Sequence, residues 1–129
     1  VWVQWEPQRS VDASERALAL VEAHQTQAAL SEAQNAVNRD PLSAEALFHL
    51  AAVQQSAGQD AKARQTLVGS VHSQPSNPET WQTLGEYDLK AGNIKMARGE
   101  LRAAVFLNPQ SIEAQNAFVL TLRAPATRF

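Results

Sequence analysis

Three histidines, His24, His49 and His72, are the side chains of this 129-residue chain best suited to proton transfer or metal ligation near neutral pH. Their spacing serves neither purpose. No two stand at i and i+4, the separation that puts two imidazoles on one helical face around a metal ion. The chain has no cysteine, which removes thiolate nucleophiles, disulfides and Cys-ligated zinc. The motifs G-x-S-x-G and H-E-x-x-H are absent, as is a Gly-rich phosphate cradle. Catalysis needs a convergent set of groups, a nucleophile beside a base or two carboxylates across a cleft, and none is legible. The expectation is therefore no enzyme, no cofactor and no metal. With 11 Lys and Arg against 13 Asp and Glu, a formal net charge of −2, the chain also lacks the positive surplus that neutralises a phosphate backbone. Nucleic acid is not an expected partner.

What positions the remaining polar groups is a repeat. Prolines fall at Pro7, Pro41, Pro75 and Pro109. They are evenly stepped at about 34 residues, a period that marks an array of one supersecondary unit. Counting units from Ser10, Ala44, Pro78 and Ile112, other columns keep the same phase. The eighth position reads Ala17, Ala51, Gly85 and Val119; the twentieth reads Ala29, Ala63 and Ala97; the twenty-seventh reads Ala36, Ser70 and Ala104. Small side chains recurring at fixed columns let antiparallel helices approach to the short end of the ~8–10 Å interaxial range.

Local signals place the helices near 11–23, 26–38, 44–57, 60–73, 78–91, 94–107 and 111–123. Asn77-Pro78-Glu79 reads as an N-cap, a proline at the first helical position and an acid in the first turn. Gly58 and Gly92 stand where first helices end in a left-handed residue, Asp60 and Asn93 are candidate caps for the helices that follow, and Asp12 with Glu15 reads as a capping box. His24 then falls in a turn of the first unit. In 94–107, Ile94, Ala97, Leu101, Ala104 and Val105 share one face while Lys95, Arg98 and Arg102 lie off it, the pattern of a helix with one buried side.

The unit from Pro78 carries Trp81, Leu84 and Gly85, then Ala97, Leu101, Ala104 and Pro109. This resembles the tetratricopeptide repeat (TPR), W-x2-L-G-x2-Y, A-x3-F and P over about 34 residues. The resemblance covers Ser10 to Arg123. It departs from the family pattern at Asp88, which holds the Tyr column with Tyr87 one place early, and at Ala13 and Leu47, which replace the Trp. It implies an all-α solenoid of about three helix-turn-helix hairpins with a C-terminal capping helix. The implied organisation is a junction at 1–9, a TPR domain at 10–123 and a flexible tail at 124–129.

Arrays of this family use the first helices of each unit to line a concave groove for peptides and partner helices. By that resemblance the groove columns supply Leu18 and Val21 from the first unit, Phe48, Ala52 and Gln55 from the second, and Gln82, Glu86 and Leu89 from the third. A mixed apolar and amide surface with acids toward one side suits an apolar or weakly basic peptide, with Phe48 as an anchor. Some family members grip a C-terminal carboxylate through Lys and Asn in the first unit and basic residues in the third. Here Ser14, Leu18, Glu79 and Thr83 occupy those columns, which argues against such a clamp. A protein or peptide partner is expected, and self-association stays open. Residues 1–60 carry a net −5 and 61–129 a net +3, an asymmetry that reads either as head-to-tail complementarity or as ordinary solvated faces.

No apolar run approaches the ~20 residues that span a bilayer, so the chain as written is expected to be soluble. It begins without Met, which reads as a piece of something longer. Trp2 and Trp5, at i and i+3 ahead of Pro7, belong either to a packed N-terminal cap or to a bilayer interface, where tryptophan is favoured. The segment Trp2, Trp5, Pro7, Arg9 and Ser10, leading into an Ala-rich repeat array, resembles the C-terminal part of bacterial O-antigen ligase or polymerase-like membrane proteins. That resemblance implies a membrane-embedded parent whose transmembrane helices hold the glycan chemistry. A free-standing cytoplasmic or periplasmic adaptor, and a non-catalytic subunit completing a partner enzyme's site, are the alternatives.

Overall fold

The computed structural model describes the chain over residues 7–123. Among them every regular element is a helix: α1 (Pro7–Arg39), α2 (Ala44–Ser56), α3 (Asp60–Ser73), α4 (Pro78–Lys90), α5 (Ile94–Leu107) and α6 (Ile112–Arg123). Each helix packs on the next in the chain, and α4 also touches α6, as in a solenoid. Residues 124–129 lie outside the described part.

The hairpins α2–α3 and α4–α5 turn on glycine. After α2 the Gly58 N–H donates to the Gln55 carbonyl at 3.0 Å and the Gln59 N–H to the Gln54 carbonyl at 2.8 Å. After α4 the bonds repeat from Gly92 to Leu89 at 3.1 Å and from Asn93 to Asp88 at 2.8 Å. This is the Schellman closure, and it requires a left-handed residue, here φ +79° at Gly58 and +88° at Gly92. Ser43 caps α2 by accepting from the Ala46 N–H at 3.1 Å, and Asn77 caps α4 by accepting from the Glu79 N–H at 3.0 Å with Pro78 in the first turn.

The first unit departs from the expected hairpin. Helices at 11–23 and 26–38 with a turn at His24 are replaced by one continuous helix of 33 residues. The reason lies in the repeat itself. His24 stands one full repeat before Gly58, in the glycine column. A left-handed L-residue costs roughly 1–2 kcal/mol, so the backbone continues as helix instead of turning. The boundary expected between residues 9 and 10 also falls within α1. Asp12 and Glu15 are interior to it and so mark no helix start. Two further caps differ: Gln59, not Asp60, precedes α3, and Asn93 makes no cap bond to α5.

Asn93 instead donates from Nδ2 to Asp88 Oδ1 at 3.2 Å, joining a charged cluster that ties α3, α4 and α5 together. Asp88 is fully buried. Arg64 Nε and Nη2 reach its two carboxylate oxygens at 2.8 Å each, and Nη2 lies 3.5 Å from Glu100 Oε2. Burial disfavours the Asp88 charge, but hydrogen bonds from Arg64, Glu100 and Asn93 outweigh it and hold the carboxyl below its usual range. Glu100 goes the other way: burial, then the hydrogen bond to Asp88 and its charge, push it up to about 8. Glu100 Oε1 is buried with no hydrogen-bond partner, so nothing at that oxygen offsets the cost of carrying the charge.

A pH dependence follows. Between the ordinary glutamate pKa of 4.5 and about 8 the folded chain keeps the Glu100 proton while the unfolded chain has released it, so stability falls as pH rises through this window and levels off above it. Asp88 acts oppositely, withdrawing stability as pH drops below its unfolded value of 3.8. Urea unfolding of Glu100→Gln at a series of pH values is expected to show the alkaline decline flattened, the acid limb being kept. A decline equal to the wild-type one would show that Glu100 does not carry the proton.

Two apolar clusters sit between the helices. One gathers Ala51, Ala63, Leu67, Val71 and Leu84, with Phe48, Trp81 and Tyr87 against it; the other holds Ala97, Leu101 and Ala117, with Leu89 and Phe118 against it. The polar ends of the aromatics are used: Trp81 Nε1 donates to the Pro75 carbonyl at 2.7 Å and the Tyr87 hydroxyl to the Asp60 carbonyl at 2.9 Å. Arg98 Nη2 donates to the Thr121 carbonyl at 2.9 Å, fixing the end of α6 on α5.

Candidate functional site

Because α2, α4 and α6 are the first helices of successive units, they stand side by side and leave an open groove of about 690 Å³ between them. Its floor is apolar. Ala51, Leu67 and Ala117 come from the cores, with Phe48 and Leu89 half-buried above them and Leu120 exposed on the far wall. Gln55, Thr83 and Asn116 provide amide and hydroxyl groups, and Glu86, Glu113 and Lys90 the charges.

The groove continues into a polar recess of about 630 Å³ lined by Glu79, Gln82, Glu86 and Glu113 together with Asn108, Gln110 and Ser111. Gln82 Nε2 lies 3.3 Å from both Glu86 Oε2 and Glu113 Oε2 and bridges the two carboxylates. Three acids at one end against Lys90 at the other leave the surface net negative. It is suited to apolar side chains flanked by cations, not to an acidic tail.

Of the residues expected in the groove, Phe48, Ala52, Gln55, Glu86 and Leu89 line it, and Gln82 lines the adjoining recess. Leu18 and Val21 do not. They are exposed on the N-terminal half of α1, where the continuous helix carries them away from α2. The third wall, Glu113, Asn116 and Leu120, is absent from the expected set. The same columns that select Glu45, Phe48 and Ala52 in the second unit select Glu113, Asn116 and Leu120 when counted from Ile112, so the repeat carries the signal. Trp2 and Trp5 lie outside the described residues. Among the described residues no group of three or more His, Cys, Asp or Glu is placed to hold a metal ion, and no helix is long and apolar enough to cross a membrane.

The fold is that of TPR domains, several of which are among the solved structures similar to the chain. The first TPR domain of Spaghetti (RPAP3), bound to the HSP90 peptide SRMEEVD, matches with a TM-score of 0.67 at 15% identity over 98% of this chain and 100% of that one. The Sgt2 TPR domain from Aspergillus fumigatus matches at 0.66 and 18% identity over 96% and 89%. The Yersinia enterocolitica type III secretion chaperone SycD, in complex with a peptide of the translocator YopD, matches at 0.63 and 15% identity over 91% and 95%. No protein-family model matches the chain, and no curated protein matches it.

Proposed function

We propose that the chain is a non-catalytic scaffold whose α2–α4–α6 groove binds a peptide segment of apolar residues flanked by Lys or Arg. The observation that carries this reading is the pairing in one groove of Phe48, Leu89 and Leu120 with the carboxylates of Glu86 and Glu113. Two of the three similar structures named above hold peptides, which supports a peptide as the occupant. The acid-rich sequence bound by the first of them is the wrong charge for this surface.

Fluorescence anisotropy with a labelled basic-apolar peptide library is the test. Leu120→Ala and Leu89→Ala are expected to weaken the best peptide by roughly tenfold each, the effect of losing about 1–2 kcal/mol of apolar burial. Glu86→Gln with Glu113→Gln is expected to reduce the steepness of its salt dependence. Equal affinity in the folded Leu variants, or preference for an acidic peptide, would remove this groove as the site.

A second reading concerns the parent chain. The Trp2, Trp5, Pro7, Arg9 and Ser10 segment supports a scaffold joined to a membrane-embedded O-antigen ligase or polymerase-like protein, with Trp2 and Trp5 near the bilayer. The upstream coding sequence decides it: several apolar runs of ~20 residues are expected, and a start codon or signal peptide in their place ends the reading. In that case a free-standing adaptor, or a non-catalytic subunit of a partner enzyme, takes its place.

A further inference from the structure

The two closed hairpins are a template for what the first unit lacks. In columns twenty and twenty-seven, Ala63, Ala97, Ser70 and Ala104 are fully buried because the first helix of the same unit lies over them. Ala29 and Ala36 hold those columns on α1 and are only half-buried. Beside them, between α1 and α2, is an open cavity of about 270 Å³ lined by Thr26, Ala29, Ala52 and Val53, where a first helix would rest.

The helix that matches this slot is present but misplaced. Residues 15–25 of α1 are exposed throughout. Leu20 is 71% exposed although its column-mates Gln54 and Asp88 are buried, and Ala17 is exposed although Ala51 and Gly85 are buried. Leu18 and Val21 hold groove columns yet face solvent. In a straight helix Ala17 and Ala29 are separated by about 18 Å, so this arm cannot reach the slot of its own chain while α1 is continuous.

We infer that the N-terminal arm of α1 docks in the vacant slot of a second copy, giving a two-fold dimer by exchange of the first helix. Exchange of an identical element needs no new complementarity, because the arm and the slot already carry the columns of one repeat. Leu20 then enters the buried column. Leu18 and Val21 of the second copy extend the concave wall next to Ala52, so each groove is completed by the other chain. The hinge is His24, whose substitution for glycine keeps the helix straight.

The chain has no cysteine, so a double variant, Ala17→Cys with Ala29→Cys, reports directly on the arrangement. These two positions correspond to Ala51 and Ala63, which pack in one cluster. Oxidation is expected to link two chains, seen as a dimer on a non-reducing gel. Light scattering of the unmodified protein is expected to give twice the 14.1 kDa of one chain. Adding His24→Gly is expected to restore the turn, move the disulfide within one chain and halve the mass. A disulfide within one chain before that change, or a monomeric mass with no disulfide, would overturn the inference.

Discussion

Asp88→Ala is expected to lower the free energy of unfolding by about 3 kcal/mol, the size of effect seen when one partner of a buried ion pair is deleted. The carboxylate is wholly buried and receives bonds from three residues on the two neighbouring elements: Arg64 on α3, Asn93 just ahead of α5 and Glu100 within α5. Truncation leaves the Arg64 guanidinium without its two-oxygen partner on α4, with Glu100 as its remaining acidic neighbour. For a chain of this size a loss of ~3 kcal/mol corresponds to a melting point lower by roughly 10 °C. Arg64 is part-exposed and can turn toward water, so the double variant Asp88→Ala with Arg64→Met should recover part of the loss. Such a cycle separates the ion pair from the packing of the side chain. A single variant within about 1 kcal/mol of wild type would mean that the cluster is incidental to stability.

The same substitution has a functional consequence, because Asp88 and the groove are opposite faces of one helix. Glu86 and Leu89 point into the groove while Asp88 anchors α4 to α3 and α5. The cluster therefore sets where the central wall of the groove stands. It is also the part of the molecule least visible in the sequence. Arg64 and Glu100 are remote from Asp88 along the chain and sit on other helices, so no local spacing rule links them. The one sign is negative, an aspartate in a column where the TPR pattern has tyrosine.

Elements whose cause is local are legible. Gly58 and Gly92 end α2 and α4 because only a left-handed residue closes those turns, and the Asn77-Pro78 start of α4 is read directly from cap chemistry. In α1 the period misleads because it is weighed above turn chemistry: the small columns continue through the first unit, but the residue that would bend the chain, His24, is not one that bends it. Leu18 and Val21 leave the groove for that reason alone. The groove's third wall escapes the sequence reading for the opposite reason, since α6 reads as a cap while its columns already make it a wall.

Gly85→Ala is expected to destabilise the chain by about 2 kcal/mol, against the expectation from helix propensity. In an exposed helix interior the same change stabilises by up to ~1 kcal/mol, because glycine gives up more backbone entropy than alanine does. At Gly85 an added Cβ would meet Leu101 Cγ at 2.6 Å, Cδ2 at 2.8 Å and the Leu101 backbone nitrogen at 3.3 Å. Leu101 is completely buried and has nowhere to swing, so relief requires α4 and α5 to separate. Ala51 in the equivalent column of α2 shows that a hairpin of this type can be built around alanine. The cost here arises because the Leu101 side chain and backbone already occupy the space an added methyl group at Gly85 would need. Gly69 and Gly99, inside α3 and α5, have open space where a Cβ would go, so Gly69→Ala and Gly99→Ala serve as internal controls and should raise the melting point. If all three variants shift stability in the same direction, backbone entropy decides the matter and the close approach of α4 to α5 does not. If Gly85→Ala alone is destabilising and Leu101→Ala in the same chain removes its penalty, the contact between these two helices is what the glycine serves.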